Sequence, residues 1–119
     1  MADAITAYYD TVDNLRLDEF MDRHTDDASV RFGNNPPVQG KEAIRESISG
    51  FWSMLNGMTH TVKNRWDDGD TTVLEANVAY DCKDGRIVEV PCVSILERKG
   101  EQISDLRVLI DLTPLFAPQ

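Results

Sequence analysis

The amino-acid sequence predicts an α+β fold: a cone-shaped, curved antiparallel sheet wrapped around three N-terminal helices, with a pocket inside. Two observations predict it. In the first half, apolar residues recur at three- and four-residue intervals, the period of a helix with one buried face. In the second half, DDG, KDG and RKG divide the chain into four strand-like runs, and such short turns join antiparallel neighbours.

Ile5, Tyr8 or Tyr9, Val12 and Leu15 form the apolar stripe of a first helix, with Asp3 placed to cap it. Leu17, Phe20 and Met21 give a short second helix, which the triplet TDD is expected to stop as a turn. Ala28 to Phe32 is a brief strand entering the polar loop GNNPP. From Lys41, the spacing of Ile44, Ile48, Phe51 or Trp52 and Leu55 marks a third helix, with Gly57 as its left-handed terminator. Four strands then occupy about 59–66, 70–82, 86–98 and 101–112, a meander.

Turn length decides which side chains share a face, because a shift of one residue turns a strand over. With Asp67, Asp68 and Gly69 as a three-residue loop, Trp66 pairs with Asp70 and His60 with Ala76. His60, Val62 and Trp66 then face inward with Leu74, Ala76, Val78 and Tyr80. A two-residue turn would send Lys63 and Arg65 inward, which is costly without partners, so the three-residue loop is expected. On the last strand Leu106, Val108 and Ile110 face inward, and Asp105, Arg107, Leu109 and Asp111 outward. Residues 86–98 are apolar on both faces, which leaves their inward set open. A strand buried on both sides suggests helices on one face and a second copy of the chain on the other, a homodimer through the outer sheet.

With 119 residues and 41% hydrophobic content, residues 1–119 are expected to form a single domain. A net charge of -9 lacks the basic footprint that phosphate neutralisation requires, which argues against nucleic acid and anionic membranes as partners. No apolar run approaches the roughly 18 residues of a membrane span, and MADAITAYYD carries acid where a signal peptide carries Lys or Arg. A cytoplasmic location is therefore expected. Cys82 and Cys92 have no metal or disulfide spacing and are read as reduced, packed thiols. DDGD at 67–70 lacks the spacing of a calcium loop, and no metal site is expected.

The order YYDTVDNLRLDEFMDRHTDDASV, PPVQGKEAIRESI, ISDLRVLIDLTPLF resembles the nuclear transport factor 2-like (cystatin-like) superfamily, and within it the SnoaL-like proteins, over almost the whole chain. That superfamily holds ketosteroid isomerase, limonene epoxide hydrolase, scytalone dehydratase and polyketide cyclases, so fold leaves function open. The ketosteroid isomerase pattern matches Tyr8, but its base falls on Phe32 and its buried acid on Val93. The epoxide hydrolase relay of Asp, Arg and Asp falls on Val78, Ala76 and Val108. Neither reaction has its proton carriers here. The SnoaL-like cyclases resemble this chain at their closing aspartate, matched by Asp111, which requires a bend near the strand end to reach the pocket.

His60 and Asp111 are the catalytic candidates. Histidine suits acid/base work near neutrality; the alternative is a lining His60 paired with Asn64 or Tyr80. Asp111 acts as base, orients His60, pairs with Arg107 or caps the LTPLF turn. Arg107 holds an acidic ligand or, the preferred use, an intersubunit ion pair. Tyr8 and Tyr80 are hydroxyl donors to a ligand oxygen or packed side chains. Phe32, Phe51, Trp52, Trp66 and Val108 are expected in the pocket wall, with Asn34 at its mouth. His24, beside TDD, is read as a surface residue. Together these imply a cofactor-free isomerase, cyclase or dehydratase acting on a small apolar oxygenated compound; the alternative is a noncatalytic binding or assembly module.

Overall fold

Asp3 accepts the Thr6 backbone N–H at 2.8 Å and caps α1 (Ala4–Asp13), whose buried face carries Ile5, Tyr8, Thr11 and Val12. The structure is a computed structural model describing residues 3–116, so the first two residues of MADAITAYYD lie outside it. Leu15, in the left-handed region at φ 53°, turns the chain into α2 (Leu17–Asp22), which buries Phe20 and Met21. The expected turn at TDD is instead strand: β1 runs His24–Phe32 with a register shift between His24 and Ser29. The irregularity lets polar Asp26 and Asp27 stay exposed within the strand, which is why they resemble a turn in sequence.

β2 (Val38–Gln39) pairs with β1, and α3 (Lys41–Trp52) follows, burying Ile44, Ile48 and Trp52. Gly57 does not terminate α3; it lies inside β3 (Leu55–Asp68), opposite Asp81. A Cβ there would sit 3.4 Å from the Asp13 carbonyl oxygen, so a bare backbone eases the approach of α1 to this strand. β4 (Thr71–Cys82), β5 (Ile87–Lys99) and β6 (Gln102–Ile110) complete the expected meander. One six-stranded sheet results, in the order β2-β1-β6-β5-β4-β3, antiparallel except where β1 lies parallel to β6. The short helix α4 (Thr113–Phe116) closes the described chain and buries Leu115.

The β3–β4 register differs from expectation. Asp68 pairs with Thr71 across a two-residue turn, and His60 pairs with Val78. A bulge between Val62 and Asn64 inserts Lys63, so the faces exchange partway along β3. His60 faces the helices, while Trp66 lies outward beside Val73 and is 55% exposed. Arg65 does turn to the helix side, yet it has partners: Asp3 at 2.8 Å and Asp67 at 2.9 Å.

The inward faces are now assigned. Val90, Cys92, Ser94 and Leu96 of β5 look inward, as do Leu106 and Val108 of β6, all buried. Pro91, Val93 and Ile95 look outward, so Val93 does not stand where a buried acid would; Cys92 and Ser94 flank that position on the inner face. Within its own chain Arg107 pairs with Asp105 at 2.6 Å and Glu97 at 2.8 Å. Both cysteines are free and buried.

Candidate functional site

Inside the cone, Tyr8, Tyr9 and Val12 of α1, Phe20 of α2, Ile48, Phe51 and Trp52 of α3, and the inner face of the sheet enclose a chamber. The sheet contributes Phe32, Met58, His60, Val78, Tyr80, Cys92, Ser94, Leu106, Val108 and Ile110. The space between these walls is about 460 Å³ with its opening to solvent counted. Its closed lumen is narrow, with room for about two waters. Phe51 joins the Phe32 and Tyr80 rings edge-on, at centroid distances of 6.2 and 5.6 Å.

His60 is the basic group of this chamber, and its partner is neither Asn64 nor Tyr80 but Asp13, at the end of α1. The ring Nδ1 stands 2.6 Å from Asp13 Oδ1, and the His60 backbone N–H donates to Asp13 Oδ2 at 3.1 Å. A carboxylate only accepts, so Nδ1 is the donor, and in the neutral ring Nε2 presents its lone pair. Among the described residues, Nε2 makes no hydrogen bond. Tyr9 packs its ring on the imidazole, with centroids 4.7 Å apart. Sequence reasoning missed Asp13 because 47 residues separate it from His60; the nearest signal is an acid at the end of an apolar helix stripe.

Tyr8 is differently placed from expectation. His24 is fully buried, not at the surface, and its Nδ1 lies 2.6 Å from the Phe20 carbonyl oxygen, which must accept. Nε2 is therefore an acceptor, and the Tyr8 hydroxyl donates its proton to it over 3.0 Å. Burial lowers the His24 pKa to about 4, keeping the ring neutral, and pushes the Tyr8 hydroxyl well above its ordinary value. Tyr8 thus has no proton to offer a ligand. Tyr80 does: burial raises its pKa, keeping the O–H intact, and its hydroxyl has no partner among the described residues. Burial likewise raises the Tyr9 hydroxyl and the Cys92 thiol.

Phe32, Phe51, Trp52, Tyr80 and Val108 line the chamber, Phe32 from the end of β1, and no carboxylate is among the lining residues. Trp66 does not, because the two-residue turn pairs it with Val73 on the outer face. Asp111 is exposed and accepts the Thr113 backbone N–H at 2.9 Å, capping α4; bonds from Thr113 hold its carboxyl below the usual range. It lines a separate open groove with Asn34, so neither residue shares the chamber with His60.

Residues 5–106 match the family model described as SnoaL-like domain. The chain belongs to the SnoaL-like domain family. None of the curated proteins matches this SnoaL-like chain. Among solved structures it resembles a protein of Shewanella putrefaciens CN-32 described as a SnoaL-like polyketide cyclase, with TM-score 0.84 and 14% identity, covering 95% of this chain and 80% of that one. A Catenulispora acidiphila protein with a ketosteroid isomerase-like fold, in complex with trimethylamine, gives TM-score 0.83 and 18% identity over 96% and 89% of the two chains. An M. tuberculosis LEH-like epoxide hydrolase gives 0.79 and 16% over 95% and 84%. At such identities the likeness is one of fold, the α+β cone shared with NTF2-like and cystatin-fold proteins.

Proposed function

We propose that this SnoaL-like domain is a cofactor-free acid/base enzyme for a small, largely apolar carbonyl or hydroxyl compound, with Asp13 and His60 as its base. The Asp13–His60 contact, with Nε2 left open in an apolar chamber, carries the reading. In this mechanism Nε2 takes a proton from carbon next to a carbonyl, and Asp13 holds the imidazolium that forms. Tyr80 donates to the developing enolate oxygen in a site with little water, where such a bond counts most. Returning the proton to another carbon isomerises the substrate; giving it to a leaving hydroxyl dehydrates it.

Proton abstraction is read directly by NMR as deuterium uptake at the α-carbon of cyclic and aryl ketones. The expected outcome is uptake above buffer that falls at least about a hundredfold in His60→Ala and Asp13→Asn, the usual size of a general-base effect. The narrow lumen favours a second reading, a noncatalytic binding or assembly module. Absence of both uptake and any ketone-induced rise in melting temperature would decide for it. We also propose that the outer sheet face joins two copies of the chain.

A further inference from the structure

A lumen holding about two waters cannot take an organic substrate unless a wall yields. Phe32 is the wall side chain shared by three voids: the chamber, the groove holding Asn34 and Asp111, and a gap beside Pro36, Val38 and Ile44. Ile110 is shared by the chamber and that groove. The two strand ends are clasped there, since the Gly33 N–H donates to the Val108 carbonyl at 2.8 Å. Phe32 is itself only half-buried and leans edge-on against Phe51, and of the two shared side chains it is the one whose rotamer change moves a whole ring.

Beyond this partition the groove changes character. Its base is apolar, from Ile110, Leu112 and Phe116, and its polar groups are Asn34, Asn35, Asp111 and Thr113. Asp111 is held ionised, with one oxygen committed to Thr113 and acceptor capacity left over. The Asn34 side chain has no hydrogen bond among the described residues. Such a surface accepts from a hydroxyl or amine and repels an anion.

We propose that this groove is a second subsite for the same molecule whose reacting end enters the chamber, and that Phe32 is the partition between them. It takes an uncharged or cationic hydrogen-bonding tail, so the substrate class is an apolar ketone or alcohol extended by a hydroxyl- or amine-bearing chain. This assignment rests on the chamber being the reacting site.

The test uses the full chain carrying Trp66→Phe, which leaves Trp52 in the chamber wall as the fluorescent reporter. Dissociation constants are measured for acetophenone, 4′-(4-hydroxybutyl)acetophenone and the matching butanoate. The hydroxybutyl tail is expected to tighten binding at least tenfold over acetophenone, and the butanoate to weaken it. Asn34→Ala with Asp111→Asn should remove most of the hydroxyl gain, with the loss confined to the tailed probe. Binding of acetophenone with no gain from the tail, or a gain indifferent to both substitutions, overturns the subsite and leaves the chamber reading intact. Binding of no probe overturns both.

Discussion

His24 illustrates how one buried side chain sets the behaviour of its neighbours. Its two nitrogens are committed, to Phe20 and to Tyr8, and its ring packs 4.4 Å from that of Phe20. Protonation would break the Tyr8 bond and bury an unpaired charge. The unfolded chain binds this proton near pH 6.5, while the folded protein resists it to about 4. The stabilisation is thus fully present above 6.5 and is lost as pH falls through that window, by up to about 3 kcal/mol. Urea unfolding at pH 7 and pH 4 should show this loss, and His24→Gln should shrink it; an equal loss in the variant would sink the assignment. Sequence alone reads His24 as a surface group and gives Asp13 no role, since each sits at a helix end among acids. Burial and pairing of such residues depend on contacts 16 and 47 residues distant, which no local period reports. A three-residue turn is expected to point His60 inward; it faces inward instead because a two-residue turn and the bulge at Lys63 offset each other, and neither shows in the alternation around it.

At the scale of elements, the loop after β1 carries the sharpest constraint. Gly33 adopts φ +53°, and a Cβ there would lie 2.8 Å from the Ile110 carbonyl oxygen, a backbone atom with no room to yield. Gly33→Ala is expected to cost about 2–3 kcal/mol, read as a lower urea midpoint, whereas Gly40→Ala meets only the conformational penalty because nothing lies within 4 Å. Equal costs would show that the close approach is unimportant. α1, α3 and the meander were legible because each repeats its period over at least two turns or several alternations. The β3–β4 register was not, because a bulge has no compositional mark: Lys63 looks like any exposed lysine, yet its insertion exchanges the faces. The outward placement of Trp66 and the inward one of Arg65, whose partner Asp3 belongs to another element, followed from the two-residue turn; the bulge then returns Val62 and His60 to the inner face.

Among the described residues, α1, α2 and α3 pack on one side of the sheet. Its outer face carries Val73, Val93 and Ile95, with Leu109 56% exposed, an apolar centre of the kind that marks an interface. Sedimentation equilibrium is expected to give twice the chain mass, and Leu109→Asp to return it to one; a monomeric native protein would refute this interface. Among the described residues, no helix is long and apolar enough to cross a membrane. The fold thus divides labour between a concave face that builds the chamber and a convex face available to another copy.

β3 forms one margin of the sheet, and an unpaired margin is where strands of separate molecules add to one another and aggregate. The bulge at Lys63 interrupts the regular ladder there, and Lys63, Arg65, Asp67 and Asp68 crowd charge along the same stretch. The device that returns His60 to the chamber therefore also makes this strand a poor template for edge-to-edge pairing.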